Sequence, residues 1–89
     1  SAQMKAVIDR TFAIEQKVKD TEFYLISAGA APSEDYMKLM LESFQNYIGC
    51  FRAGGNKAGG CLFGTGMNKP GDVEGTPSME RAYEMGKNL

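Results

Sequence analysis

Few residues of this chain are of a type that performs chemistry unaided. The 89 residues include no histidine, which removes the commonest general base and metal ligand at neutral pH. Cys50 and Cys61 lack the close paired spacing of a zinc or redox site, so we interpret them as buried, reduced thiols of a cytoplasmic protein. Asp72 and Glu74 could serve as an acid–base pair, but their polar surroundings favour a solvated loop. We therefore expect any chemistry to be carried by a cofactor.

The first half of the chain shows a helical pattern followed by a short apolar run. The apolar residues Met4, Val7, Ile8 and Phe12 are spaced as one face of a helix, which we expect to fade near positions 17–20. The run Phe23–Ile26 has no alternation of polar and apolar residues, which is typical of a strand covered on both faces in a parallel sheet.

The second half begins with the strongest periodic signal of the chain. Apolar residues recur at helical spacing from Glu34 to Ile48, and Ser33 is placed to cap that helix. A second strand is predicted around Cys61–Phe63, within positions 57–65, and a polar loop follows over 64–75. Thr76-Pro77 predicts the start of a last helix. The residues predicted to form its inner face are Met79, Ala82, Tyr83 and Gly86.

The predicted order is helix, strand, helix, strand, helix, which indicates a parallel α/β arrangement with a right-handed crossover. Two strands are too few for a parallel sheet that is buried on both faces. We therefore expect residues 1–89 to be part of a single larger domain.

Charge and hydropathy exclude two classes of partner. The chain has ten basic and eleven acidic residues, and this balance predicts neither nucleic-acid binding nor attraction to an anionic membrane. No apolar run approaches the length of a membrane span, and the first residues do not have the pattern of a signal peptide.

Both ends of the chain resemble one family of flavoproteins. The opening Ser1–Arg10 (SAQMKAVIDR) resembles the segment after the third strand of NADPH-dependent FMN reductase-like proteins, where a loop ends in Ser-x-Gln-Met/Leu-Lys and the helix continues to an Asp-Arg pair. Gly71–Pro77 (GDVEGTP) and Ala82–Asn88 (AYEMGKN) are similar to the last loop and helix of the same family.

The resemblance implies a fold and an activity. The fold is the C-terminal half of a flavodoxin-like three-layer sandwich with a parallel sheet, without the loop after the first strand that holds the flavin phosphate. The implied activity is that of an FMN-dependent oxidoreductase that uses NAD(P)H to reduce a flavin, a quinone or another small acceptor. An electron carrier or an interaction domain without turnover is the alternative. A phosphoacceptor receiver domain is disfavoured because neither predicted strand ends in an acidic residue.

In this family the cofactor lies at the carboxyl ends of the strands, near the point where strand order reverses. The residues expected at the flavin are Ser1, Ala2, Gln3 and Met4 at the first helix, and Ala28, Gly29 and Ala30 after the first strand. Gln3 and the amides of the first helical turn would donate hydrogen bonds to the polar edge of the ring. A plain helix cap and a plain tight connection are the structural alternatives for these two segments.

The resemblance also implies that the strand Phe23–Ile26 has lost a neighbour, since the third strand of the family is absent here. An open apolar edge is a template for pairing with another chain. We therefore expect a homo-oligomer in which two copies join along this strand in antiparallel orientation.

Overall fold

The computed structural model describes residues 2–89 and confirms the predicted order of helices and strands. The elements are α1 (Ala2–Arg10), a 3-10 turn (Thr11–Ile14), β1 (Glu22–Ala28), a second 3-10 turn (Glu34–Met37), α2 (Lys38–Gly49), β2 (Lys57–Gly64) and α3 (Pro77–Lys87).

The starts of α2 and α3 differ from the predicted caps. The helical region after Ser33 begins as a 3-10 turn, in which the amide of Tyr36 donates to the carbonyl of Ser33, and the Ser33 hydroxyl makes no capping bond. Thr76 precedes α3 as predicted, but its hydroxyl donates to the carbonyl of Val73 at 2.6 Å instead of accepting from the helix. Ser33 and Thr76 are both extended. After Ser33 the amide of Tyr36, which a side-chain cap would bond, already donates to a backbone carbonyl, and at Thr76 the hydroxyl itself donates to a backbone carbonyl.

The sheet consists of β1 and β2, which pair in parallel from Glu22 opposite Lys57 to Ala28 opposite Gly64. The register shifts by one residue after Phe23, so that Gly59 is extra in β2. The ring of Tyr24 lies across this bulge, because a Cβ at Gly59 would be 2.5 Å from Cζ of Tyr24. The bulge therefore needs a glycine at this position.

Helical segments pack on both faces of the sheet, but they do not cover both strands equally. On one face, the ring of Phe23 stacks on Phe51 with centroids 5.5 Å apart and meets Tyr47 of α2 edge-on at 6.1 Å. On the other face, Met85 of α3 lies against Gly60, where a Cβ would be 3.1 Å from the methionine sulfur. The buried apolar residues are Met37, Ile48, Phe51, Leu62 and Phe63.

Two predictions about burial are wrong. Ile26 is 62 % exposed, so β1 is not covered on both faces, because α3 packs on β2. On α3 itself, Tyr83 is 69 % exposed and Met79 is also exposed, whereas Met85 faces the sheet. Gly60 leaves a space that a long side chain fills, and this rotates the helix to present Ser78, Ala82 and Met85 instead of the predicted set. Of the predicted inner face only Ala82 is correct, since Met79, Tyr83 and Gly86 all face solvent.

The apolar face of α1 is largely uncovered. Val7 is 55 % exposed and Phe12 is 54 % exposed. The helix is positioned through the residues that follow it, where the Tyr47 hydroxyl donates to Oγ1 of Thr11 at 3.3 Å and Glu15 pairs with Arg52 at 3.1 Å.

Candidate functional site

The carboxyl ends of the two strands lie side by side, and the loops that leave them are joined by backbone hydrogen bonds. The amide of Gly29 donates to the carbonyl of Gly64 at 3.0 Å, and the amide of Met67 donates to the carbonyl of Gly29 at 2.9 Å. The amide of Gly66 donates to the carbonyl of Ala31 at 2.8 Å. Loops 29–31 and 65–67 therefore form one bonded surface, which we call the carboxyl-edge surface.

Gly29 has a packing reason for lacking a side chain. A Cβ at this position would be 3.3 Å from Cε of Met37, which is a core residue. Its neighbours Ala28 and Ala30 are exposed and carry only methyl groups. The predicted segment Ala28–Ala30 therefore presents backbone and methyl groups to solvent, as a flat aromatic ligand would require.

Sequence reasoning missed the contribution of the loop after β2. Met67 folds back over the strand end, since a Cβ at Gly64 would be 3.2 Å from Cε of Met67. The signal for this was available, because the carboxyl ends of adjacent parallel strands always meet at one edge of the sheet. The sequence pattern predicts residues 65–67 as part of the polar loop 64–75 and gives them no further role.

The predicted residues at the start of the chain are placed differently from those after β1. Ser1 lies outside the described residues. Ala2, Gln3 and Met4 form the first turn of α1 and are exposed, so Gln3 lies in the helix and not in the preceding loop that the resemblance implies. Thr11 and Glu15, which follow α1, bond to Tyr47 and Arg52. Contact of Gln3 with a ligand stays a prediction.

Two concavities lie away from the carboxyl-edge surface. A cavity of about 10 Å³, the size of one water molecule, lies beneath the 3-10 turn after α1, beside Phe12, Tyr47 and Phe51. An open groove of about 400 Å³ runs between β2 and α3, with Leu62 and Met85 among its lining residues. The residues of loops 29–31 and 65–67 line neither of them.

Asp72 serves to hold its loop. Its Oδ2 accepts hydrogen bonds from the amides of Asn68 at 2.8 Å and Lys69 at 2.9 Å. These two bonds lower the pKa of Asp72 below its ordinary value, and the side chain is exposed, as is that of Glu74. The expectation of a solvated loop is confirmed, since a general acid needs a raised pKa.

The cysteines are free, as predicted, but neither is fully buried. Cys50 is exposed at the end of α2, and Cys61 is half-buried in β2. Burial raises the pKa of the Cys61 thiol, which keeps it protonated and poorly nucleophilic at neutral pH. Within residues 2–89 no group of three or more Cys, Asp or Glu side chains is arranged to hold a metal ion.

A second set of charged groups lies at the opposite, amino-terminal edge of the sheet. The hydroxyl of Tyr24 donates to Oε2 of Glu22 at 2.7 Å, and Lys57 pairs with the same carboxylate at 3.4 Å. The bond from Tyr24, aided by the charge of Lys57, lowers the pKa of Glu22 and raises that of Tyr24. All three groups are satisfied by one another, which gives them a role in holding the strand pair together.

No protein-family model, no curated protein and no solved structure matches this chain. The likeness to flavodoxin-like reductases therefore rests on the sequence motifs. Among the helices of residues 2–89, none has the length and hydrophobicity required to span a membrane.

Proposed function

We propose that this chain forms the C-terminal half of an FMN-dependent NAD(P)H oxidoreductase domain and supplies part of the surface on which the flavin ring rests. The carboxyl-edge surface carries this proposal. It lies where open parallel sheets bind their ligands, and it presents small residues there. The parallel β1–α2–β2 unit agrees with the α/β class of such domains.

The residues present suit the ring of a flavin better than its phosphate. Ala28 and Ala30 leave the surface free of large side chains. The amides of Gly29, Gly66 and Met67, however, already donate to backbone carbonyls and have no proton left for a phosphate. A phosphate dianion is normally held by several such amides. We infer that the phosphate is held by residues outside this chain.

The chemistry of hydride transfer agrees with the side chains available. A bound flavin exchanges hydride with a nicotinamide by itself, and the protein supplies binding, orientation and electrostatics. This chain needs no general base for that task, and it has no histidine to act as one. Its own part would be to support the ring and to keep water from one side of it.

A titration of the chain with FMN, followed by flavin fluorescence, tests the assignment of the missing phosphate site. We expect binding weaker than micromolar, because each lost charge-assisted hydrogen bond costs about 1.5–3 kcal/mol. Submicromolar binding by residues 1–89 alone would contradict our division of the site. A longer natural chain that contains this sequence is expected to bind FMN and to oxidise NADPH. Flavin binding without NADPH oxidation would instead indicate an electron carrier.

The role of the carboxyl-edge surface is tested by Gly29→Val in such a longer chain. The Cβ of the valine would lie 3.3 Å from the flexible end of the Met37 side chain, so the variant pushes the loop outward at the surface where the ring is proposed to rest. We expect a lower flavin content with the circular dichroism spectrum unchanged. The control is Gly86→Ala on α3, where an added Cβ meets nothing within 4 Å. Equal flavin content in both variants would exclude the surface from the binding site.

A further inference from the structure

The free edge of β1 lacks the features that protect edge strands from pairing. In the part of the chain that the structure describes, the sheet has two strands, so β1 is paired along one edge alone. Its seven residues contain no lysine, proline or bulged residue, and the one charge is Glu22 at the end. The other edge strand, β2, carries Lys57 and three glycines, one of which is the extra residue Gly59. Only β1 is therefore suited to accept another strand.

The backbone groups at this free edge can be assigned from the bonds that flank β1. The carbonyl of Thr21 accepts from Lys57, and the amide of Gly29 donates to Gly64. In a parallel ladder alternate residues of a strand bond to the same neighbour. The odd-numbered residues of β1 therefore direct their backbone amides and carbonyls toward β2. The even-numbered residues, which direct their amides and carbonyls outward, are Glu22, Tyr24, Ile26 and Ala28.

We propose that the free edge of β1 binds a second copy of this chain, in antiparallel orientation about a two-fold axis at Leu25. This register places Tyr24 opposite Ile26 of the other copy, and Glu22 opposite Ala28. All four residues with outward-directed amides and carbonyls then lie opposite residues of the second copy whose amides and carbonyls point toward them. Since each such pair exchanges two hydrogen bonds, the interface has about eight. The product is a continuous four-stranded sheet, β2–β1–β1–β2.

Symmetry and the number of hydrogen bonds select this register over its neighbours. A two-fold axis perpendicular to the sheet preserves its faces, so opposed residues must both be even or both be odd in number. The next allowed axes, at Tyr24 or at Ile26, leave one outward-facing residue of each β1 without a β1 partner and reduce the bonds to about six. The axis at Leu25 also sets Glu22 against an uncharged residue, so no like charges face each other.

The side chains on the exposed face are complementary in the same register. Ile26 is 62 % exposed in the single chain, and Tyr24 lies beside it on the same face of the sheet. In the pair, each Ile26 packs against the partner's Tyr24, and an aromatic residue opposite a β-branched one is a stabilising cross-strand pair. The two-fold pairing therefore covers Ile26 in both copies.

The pairing concerns residues 1–89 by themselves, because the third strand of the flavodoxin-like domain in the proposed function would lie at this same edge of β1. The pairing depends on the edge of β1 alone, whereas flavin binding depends on the carboxyl ends of the strands. A longer chain that placed a strand of its own beside β1 would exclude the second copy. The tests therefore use residues 1–89, and their failure leaves the FMN and NADPH measurements unaffected.

The first test is amide hydrogen exchange by NMR on the unaltered chain at low micromolar and at millimolar concentration. We expect the amides of Tyr24 and Ile26 to exchange at least ~10-fold more slowly at the higher concentration, as mass action requires of a dimer. The amides of Leu25 and Ser27 serve as the internal control, because the bond to β2 protects them at both concentrations. Light scattering should give about 19.4 kDa, twice the chain mass of 9.7 kDa. A monomer mass at millimolar concentration, or unprotected Tyr24 and Ile26 amides in a dimer, overturns the proposal.

The second test reads the register by cross-linking in a Cys50→Ser, Cys61→Ala background. Leu25→Cys brings the two new thiols together across the axis, where Cα atoms of a non-hydrogen-bonded pair are ~4.5 Å apart, within the ~4.4–6.8 Å range of disulfides. Ser27→Cys on the same face is the matched control, since its two copies are offset by roughly 13 Å along the strand. We expect an oxidised dimer for Leu25→Cys only. A dimer that cross-links at Ser27, or at neither position, overturns the register, and if Leu25→Cys does not fold the exchange measurement decides alone.

Discussion

At the scale of single residues, the contacts that define this fold are made where a glycine lets a longer side chain approach the backbone. Tyr24 lies across Gly59, Met85 against Gly60, and Met37 against Gly29. Each pair joins a position without a Cβ to a large side chain, and the side chain fills the space that the glycine leaves. The glycines of this chain are thus packing residues as well as turn residues.

The bulge in β2 provides a direct test of this point. We expect Gly59→Ala to lower the free energy of unfolding by about 1–3 kcal/mol, because its Cβ would overlap the ring of Tyr24 at 2.5 Å and force a shift. The control is Gly49→Ala, where a Cβ in α2 meets nothing within 4 Å and should stabilise the helix by about 0.5–1 kcal/mol. Urea denaturation of both variants measures the difference, and equal midpoints would contradict the role of Tyr24.

The loop before α3 should depend on pH through Asp72. The pKa of this carboxyl is lowered in the folded chain by the amides of Asn68 and Lys69. Its contribution to stability is therefore present above the ordinary pKa of 3.8 and is lost as the pH falls through the lowered value.

We expect the Asn68 and Lys69 amides to lose protection from exchange below pH 3.8 and, at neutral pH, in Asp72→Ala. Glu74→Ala is the control, because it removes an exposed carboxylate of the same loop. The measurement is amide exchange by NMR. Unchanged protection in Asp72→Ala would show that the loop is held by its backbone bonds alone.

At the scale of elements, α2 and α1 contribute very differently to the fold. The end of α2 brings Tyr47 and Phe51 against Phe23 of β1, which forms the aromatic part of the core. In contrast, Val7 of α1 and Phe12 of the following 3-10 turn are largely exposed to solvent. The apolar residues at the start of the chain are thus less supported by tertiary packing than those at the end of α2.

This contrast predicts unequal effects of truncating apolar residues. Phe51→Ala should cost about 3–5 kcal/mol, as for other buried aromatic residues. For a chain of this size that is comparable with the whole free energy of unfolding, about 0.05–0.15 kcal/mol per residue, and we expect loss of cooperative unfolding. Val7→Ser, on the exposed face of α1, should shift the thermal midpoint little. Near-ultraviolet circular dichroism during heating measures both, and a large effect of Val7→Ser would reveal an apolar partner for α1.

At the scale of the whole molecule, the chain has a thin core. Five apolar residues are buried, and no large side chain of the described residues is completely buried. At the same time Ile26 of β1 remains exposed, as do Val7 and Phe12 near the start of the chain. A chain with so little buried surface gains more from association than a larger domain would.

Association should therefore be visible in the stability of the whole chain. If two copies pair along β1, the thermal midpoint of residues 1–89 rises with concentration, because the second copy binds the folded form only. Circular dichroism melts over a hundredfold range of concentration measure this. Ala28→Pro, which removes an outward-facing amide at the free edge and spares the bonds to β2, should weaken the concentration dependence. A midpoint that is independent of concentration would contradict pairing.

The sequence by itself determined the order of the elements and the approximate position of most of them, although the first α-helix ends at Arg10 and not near positions 17–20 as predicted. The continuous apolar run Phe23–Ile26 and the helical spacing after Ser33 are local patterns, and each indicates the type of element without reference to its neighbours. The carboxyl-edge segment Ala28–Ala30 was also identified from sequence, as a run of small residues after a strand. The resemblance to FMN reductase-like proteins and the flavin function remain predictions from the sequence.

Tertiary structure alone decided which face of each element is covered. Helical spacing predicted Tyr83 to face inward, and the unbroken apolar run predicted Ile26 to be covered, but both are exposed. Burial depends on what packs against a residue, and α3 packs on β2 where Met85 lies against Gly60. The hydrogen bonds that join loops 29–31 and 65–67 likewise connect residues more than thirty positions apart, which no local pattern encodes. The outward direction of the Tyr24 and Ile26 backbone follows from the parallel register with β2, and a register is fixed only when two strands meet.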